Sequence, residues 1–178
     1  GLSSKEFTPT MVKSVYDHIE RDGFHGFVVG IEDDVTNLST KVYEEIDSED
    51  PDVKRCKFWG YGSDGTVSAA KNSIKIIGES TDKYVQGYFS YDSKKSGGIT
   101  VSHLRFGDRP IKSQYLLTKC DFVGLHKHSY IGRYDILEGI KEGGTFLINC
   151  PWPAEEVFSH LTKDMQQTII DKKVKFFT

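Results

Sequence analysis

Hydrophobic and polar positions repeat with two different periods along this chain, and the switches between them mark out its elements. In "FTPTMVKSVYDHIERDG", positions 7–23, Val12, Val15, Tyr16 and Ile19 recur at helical spacing. Thr8 is placed to cap that helix, Pro9 suits its first position and Gly23 its stop. "GFVVGI", positions 26–31, predicts a short buried strand. The chain then turns polar and acidic over "EDDVTNLSTKVYEEIDSEDPDV", positions 32–53, which reads as a loop or linker. A boundary is expected there. Residues 1–50 read as the C-terminal tail of a preceding unit with its linker, and 51–178 as a second domain cut short at its C-terminus.

From Val53 onward, period-2 and apolar runs alternate with runs of period 3.6. "VKRCKFW", "KYVQGYFSYD", "GITVSHLRFG", "CDFVGLH", "TFLINC" and "VKFF" predict strands. "TVSAAKNSIKIIG" predicts a helix whose apolar face is Val67, Ala70, Ile74 and Ile77, with Gly78 at its end. "YIGRYDILEGIKEGG", "PAEEVFSHL" and "TKDMQQTIIDKK" predict three more helices. Strands separated by helices of this length favour an α/β fold, a three-layer, mostly parallel Rossmann-like sheet flanked by helices. The most apolar runs, 57–59, 85–91, 122–125 and 146–148, are expected at its centre. "ITVSHLRF" alternates more and is expected as an edge or antiparallel strand. Neither an internal repeat nor a low-complexity tract is visible.

Composition narrows the classes. A length of 178 residues with 37% hydrophobic and 12% aromatic residues suits a water-soluble globular domain. The formal charge of −3 provides no basic field for nucleic acid or anionic lipid. No apolar run approaches the roughly 20 residues that span a bilayer, and the first residues do not follow a secretory signal pattern. The start without Met suits a piece of a longer protein. Cys56, Cys120 and Cys150 are single and far apart. They offer neither C-x-x-C ligation of zinc or a cluster nor a disulfide framework, and they favour a reducing, intracellular setting.

The chemistry-bearing stretch is "FWGYGSDGTVSAAKNSIKIIG". Gly60, Gly62 and Gly65 match G-x-G-x-x-G between a predicted strand and a predicted helix. Glycines there permit positive φ and leave the backbone bare, so a diphosphate can approach the free N–H groups at the helix start. Ser63, Asp64 and Thr66 add hydrogen bonds or cap the helix. A tight turn used only for packing is the competing reading. Asp92, at the end of the second strand, is available to a ribose hydroxyl, somewhat beyond the usual spacing. Ser93, Lys94, Lys95 and the glycines that follow resemble a second phosphate site, suited to NADP or coenzyme A. A solvated loop tip is the plainer reading of those lysines.

These residues together resemble one family. "GSDGTVSAAKNSIKIIGESTDKYVQGYFSYDSKKSGGITVSHLRFG" and "DFVGLHKHSYIGRYDILEGIKEGGTFLIN" are similar to the central gamma domain of pyruvate:ferredoxin (flavodoxin) oxidoreductases. Upstream, "GLSSKEFTP" and "VGIEDDVTNLS" resemble the end of the preceding domain in the same single-chain enzymes. The resemblance implies oxidative decarboxylation of pyruvate to acetyl-CoA, with electrons passed to ferredoxin or flavodoxin. Thiamine diphosphate with Mg carries the carbanion chemistry and [4Fe–4S] clusters carry the electrons, both held elsewhere in the parent. This domain is then expected to bind the phosphate end of coenzyme A through Gly60, Gly62, Ser63, Asp64, Gly65, Thr66, Asp92, Ser93, Lys94 and Lys95. The implied partners are the other domains, the electron acceptor and a second copy of the full enzyme; nucleic acid and membrane are not expected. The implied location is the cytoplasm or an anaerobic organelle.

Other constellations carry less. His126 and His128 lie two apart near a strand end, but a metal site needs a third ligand that the sequence does not name. Ser102, His103 and Asp108 are common residues with nothing to position them as a triad. Tyr130, Ile131 and Tyr134 read as helix core, and Arg105 and Arg109 flank a turn. An NAD(P)-binding module of another dehydrogenase and a ligand-free structural domain stay open as alternatives. The piece alone is expected to be inactive and to hold neither a metal nor catalytic residues.

Overall fold

A computed structural model describes residues 6–21, 23–42, 44–91 and 98–178. Contacts group them into two units, residues 1–50 with 113–115, and residues 51–112 with 116–178.

In the first unit, helix α1 spans Pro9–Arg21. The Thr8 hydroxyl accepts the N–H of Met11, and Gly23 ends the helix at φ +45° with its N–H on the carbonyl of His18. The stripe Val12, Tyr16 and Ile19 is nevertheless 41–65% exposed, while Ser14 and His18 are buried. Ser14 lies 3.2 Å from Thr40, and the His18 ring lies edge-on to Phe24. The expected strand at 26–31 is reduced to a single bridge between Val28 and Ser39.

The second unit is an α/β sheet in which β1 (Lys54–Tyr61), β2 (Tyr84–Tyr91), β3 (Ile99–Gly107), β4 (Cys120–Leu125), β5 (Ile140–Ile148) and β6 (Lys175–Phe177) lie in the order β2-β3-β1-β4-β5-β6. β1-β4, β4-β5 and β5-β6 are parallel; β3 is antiparallel to both its neighbours. Helix α2 (Thr66–Ser80) covers one face over β2, β3 and β1. The short α3 (Ala154–Val157) and α4 (Lys163–Asp171) cover the other face. There Trp59, Val123, Leu125, Phe146 and Ile148 form one core with Tyr130, Ile136, Val157, Leu161, Met165 and Ile169. At about 25 cal/mol per Å² of apolar surface, this is the main source of stability.

Three placements differ from expectation. β2 is an edge strand rather than a central one; its aromatic residues Tyr84, Tyr88 and Tyr91 are about half exposed. β3 is antiparallel as expected, but interior. A short connection returns the chain from β2 and inserts β3 beside β1, which only an antiparallel strand can do without a long crossover. Its alternation reflects two differently covered faces, since Ser102, Leu104 and Arg105 are all buried. The helix expected over 130–144 does not form. Gly132 and Gly139 take φ of +75° and Gly143, within β5, +68°, outside helical geometry; Ile136 and Leu137 fill the core from turns and Ile140 from the start of β5. The helix over 66–78 is present, but Gly78 lies inside it, where a Cβ would meet Val85 at 3.1 Å.

Candidate functional site

The glycine turn sits where β1 gives way to α2, at the carboxyl end of the parallel strands. Gly60 closes the packing: a Cβ there would lie 2.5 Å from Thr66 Cβ, so only glycine lets the helix start this close to the strand. Gly62 donates its N–H to the carbonyl of Gly98 at 2.8 Å and ties the turn to the start of β3. Ser63 and Gly65 take φ of +79° and +87°, and the N–H of Asp64 between them closes the turn on the carbonyl of Tyr61 at 2.9 Å. Thr66 begins α2 and is buried.

Asp64 holds the turn together. Its carboxylate accepts the N–H of Tyr61 at 2.7 Å and of Thr66 at 2.8 Å. Burial alone would raise this carboxyl. The two backbone donors, the Thr66 hydroxyl and the nearby His126 outweigh burial and hold it below the usual carboxylate range. Asp64 therefore acts as a cap. It also sets a negative charge at the turn, which opposes an incoming anion. Among the described residues, the N–H groups of Gly65, Val67 and Ser68 have no acceptor, which leaves them to a ligand or to water.

These groups open on a cleft of about 270 Å³, walled by Tyr61, Asp64, Val67, Tyr91, Gly98 and Thr100. Thr100 buries its hydroxyl there without a hydrogen-bond partner among the described residues. β3 runs between β1 and β2, so the cleft brings the turn against the end of β2 and the start of β3. Asp92, Ser93, Lys94 and Lys95 lie outside the described residues.

Three residues near the turn escaped the sequence reading. Tyr130 is buried and donates its hydroxyl to the carbonyl of Gly60 at 3.3 Å, supporting the turn from below. It ends a short 3-10 turn rather than standing in the expected helix core. Lys127 holds its ammonium 4.9 Å from the centroid of the Tyr61 ring, a cation beside the cleft. Thr100 carried no sequence signal, because a threonine in a strand is ordinary.

The remaining candidates fall apart in space. His126 approaches Phe58, whereas His128 lies edge-on to Trp152, which stacks on His160 at 4.1 Å. No group of three or more His, Cys, Asp or Glu among the described residues is placed to hold a metal. Burial, with Asp121 and Cys120 adding, pushes the Cys56 thiol up to about 12, and burial raises Cys120 as well. Neither is poised as a thiolate ligand or nucleophile. Arg105 is buried in β3 beside Gln86, and Arg109 pairs with Asp52. Among the described residues, no helix is long and apolar enough to cross a membrane.

A glycine turn at a helix start, on the carboxyl edge of a sheet wound outward from β1 and β4, defines the class: a Rossmann-like α/β domain. Comparison with known proteins narrows it. Residues 55–178 match the family model described as pyruvate ferredoxin/flavodoxin oxidoreductase, and the chain belongs to that family. It is 57% identical to the pyruvate:ferredoxin oxidoreductase of Moorella thermoacetica over 99% of the chain and 15% of that protein. It is 53% identical to the pyruvate dehydrogenase [NADP(+)] of Cryptosporidium parvum over 99% of the chain and 9% of that protein. The chain thus spans about a seventh or less of the length of these relatives. The fold is shared with the crystal structure of pyruvate oxidoreductase subunit PORC from Thermotoga maritima, at a TM-score of 0.50 and 22% identity, covering 62% of this chain and 57% of that one.

Proposed function

We propose that this chain is the central domain, with the tail of the preceding one at residues 1–50, of an enzyme that oxidatively decarboxylates pyruvate to acetyl-CoA and passes the electrons to ferredoxin or flavodoxin. Its own task in that enzyme is to hold the phosphate end of coenzyme A at the glycine turn. The observation that carries this reading is the row of N–H groups of Gly65, Val67 and Ser68 at the start of α2, without an acceptor among the described residues and lining an open cleft. A diphosphate meets those donors and the positive end of the helix dipole, with Lys127, over the Tyr61 ring, as a cation beside the cleft. Asp64 sets the approach: its charge keeps the anion on the Val67–Ser68 side of the turn. Tyr91 and Gly98 both line the cleft, and Lys94 and Lys95, which lie between them in the sequence, are assigned to a second phosphate on the ligand's ribose.

The residues present do not fit the parent's other groups. A thiamine diphosphate–Mg site and [4Fe–4S] clusters need carboxylate or thiolate sets that the described residues do not assemble. The parent works in the cytoplasm or an anaerobic organelle and pairs with a second copy of itself.

The test replaces Lys94 and Lys95 by Ala in the full-length enzyme. Apparent affinity for coenzyme A should fall about ten- to a hundredfold, the cost of one charge-assisted contact. Affinity for the analogue lacking the 3′-phosphate, and reduction of the enzyme by pyruvate alone, should stay unchanged. Equal affinity for coenzyme A in the variant and the parent would refute the lysine contact. Tight binding of NADP with no response to coenzyme A would replace the ligand.

A further inference from the structure

The register of the sheet builds a slot beside the glycine turn. Gly60 and Gly87 point at α2, since a Cβ on either would run into Thr66 or Ile74. Side chains alternate between faces along a strand, so Tyr91, at the end of β2, lies on the same face as Gly87. Thr100 pairs with Tyr91 on one side and with Gly60 on the other. The row under the start of α2 is therefore Tyr91, Thr100 and Gly60: a ring, a hydroxyl and a bare position that Thr66 fills. β2 and β1 are two strand spacings apart, about 10 Å, which separates Tyr91 from the first turn of α2 and leaves Thr100 as the floor between them. Tyr91 is 58% exposed and lines the cleft together with Val67 and Ser68 of that turn. Thr100 is 6% exposed, and its hydroxyl has no hydrogen-bond partner among the described residues. The neighbouring tyrosines are placed differently. Tyr84 and Tyr88 alternate onto the opposite face of β2. Tyr61 pairs with Ile99, one position out of the row, and its ring lies under Lys127.

We propose that this slot holds the adenosine end of coenzyme A, with the adenine ring stacked on Tyr91. The proposal rests on the reading that coenzyme A is held at the glycine turn, and it adds which end of the ligand lies where. Three observations choose the occupant. First, the cleft of about 270 Å³ is smaller than the roughly 300–1,000 Å³ of pockets that enclose a whole drug-sized ligand, so it takes one end of coenzyme A. Second, the donors give the direction. The N–H groups of Val67 and Ser68 face the slot side of the turn, while the Asp64 carboxylate stands on the Tyr61 side and repels the anion there. A group attached to the diphosphate therefore extends over Thr100 toward Tyr91. Third, the walls select the chemistry. Coenzyme A carries adenosine on one side of its diphosphate and the pantetheine arm on the other. A base presents a flat π-face to an exposed tyrosine ring, whereas the flexible arm would lose rotamer freedom against it. The buried Thr100 hydroxyl favours a polar occupant, and the ribose and its 5′-phosphate bring oxygens to that floor.

The experiment uses the full-length enzyme and two measurements. In the first, a coenzyme A analogue with an azide on the adenine ring is photolysed in the complex, and the labelled tryptic peptide is identified. The label should fall on the walls of the slot, in peptide 84–94, which contains Tyr91, or peptide 58–71, which contains Val67 and Ser68. In the second, affinities are compared for coenzyme A, the analogue lacking the 3′-phosphate, and 4′-phosphopantetheine, which lacks adenosine. Tyr91→Ser should weaken the first two alike, about five- to a hundredfold, and leave 4′-phosphopantetheine unchanged. Tyr91→Phe keeps the ring and should bind all three as the parent enzyme does. Labelling of any other peptide within residues 1–178, or undiminished affinity of Tyr91→Ser for coenzyme A, overturns the stacking and leaves coenzyme A at the turn. An equal loss for 4′-phosphopantetheine overturns it as well, because the ring would then only order the turn. Labelling confined to peptides outside residues 1–178 refutes the proposed function together with this inference.

Discussion

Gly60 and Thr66 face each other so closely that the strand can carry no side chain at position 60: a Cβ would lie 2.5 Å from Thr66 Cβ and Oγ1 and 2.7 Å from Cγ2. Those values are far inside van der Waals contact. Gly60→Ala must push the first turn of α2 away from β1, and overpacking of this kind costs roughly 1–3 kcal/mol. Removing the Thr66 hydroxyl and methyl does not relieve it, because Cβ itself is in the way. The expected result is that Gly60→Ala and the double variant Gly60→Ala/Thr66→Ala are both destabilised in denaturant unfolding. A double variant as stable as the parent chain would show that the helix start shifts freely. Gly65→Ala gives a useful contrast. Its Cβ meets nothing within 4 Å, but φ is +87°, so the cost there is backbone strain of about 1–2 kcal/mol.

The glycine turn was legible in the sequence because its geometry is local. Strand, bare turn and helix start all lie within a few residues of one another, and G-x-G-x-x-G registers that. What surrounds the turn was not legible. Tyr130 reaches Gly60 from 70 positions away, and Thr100 and Tyr91 arrive through the sheet order. That order depends on β3 being inserted antiparallel between β2 and β1, and the aromatic content of β2 pointed the other way. The stretch 130–144 failed for a related reason. Its apolar spacing is helical, but glycines at positive φ spend it on turns and on the start of β5. Similarly, the apolar stripe of α1 was readable as a stripe, while its exposure was not, since nothing local reveals which face of a helix is covered.

Asp64 gives a test of the electrostatics at the turn. Asp64→Asn keeps the oxygen that accepts the Thr66 N–H and removes the negative charge. Because the carboxyl lies below the usual range, it is ionised throughout neutral and mildly acidic solution, so the charge effect should be present across that span. The variant in the full-length enzyme should bind coenzyme A severalfold more tightly, while its thermal midpoint falls because the amide NH2 replaces the oxygen that accepts the Tyr61 N–H. Weaker binding would mean that the carboxylate orders the turn rather than repelling the anion.

Lys127 is the cation that the structure adds. Lys127→Met keeps an unbranched side chain over the Tyr61 ring and removes the charge. If the ammonium serves the diphosphate, coenzyme A affinity should drop about tenfold and the analogue lacking the 3′-phosphate should lose just as much. That equal loss separates Lys127 from Lys94 and Lys95, whose removal should spare the analogue. Unchanged affinity for both ligands would remove Lys127 from the site.

His103 links the fold to pH. It is buried in β3, and its Nδ1 accepts the N–H of Leu117 at 3.2 Å, so the neutral ring carries its proton on Nε2. Burial, with Lys57 and Arg105 adding, lowers its pKa to about 3, against 6.5 for a free imidazole. The sign follows from which state takes up the proton. Below pH 6.5 the unfolded chain binds it and the folded chain does not, so stability is complete above that pH and is lost as pH falls toward 3. At about 1.4 kcal/mol per unit, the loss from this one residue is roughly 2–3 kcal/mol by pH 4.5. His103→Gln offers an amide oxygen to Leu117 and has nothing to titrate. Denaturant unfolding of the chain at pH 7.5 and pH 4.5 should show the parent losing that increment relative to the variant. The carboxylates contribute equally to both and cancel in the comparison. Parallel losses in the two proteins would mean that the buried ring is already protonated in the fold.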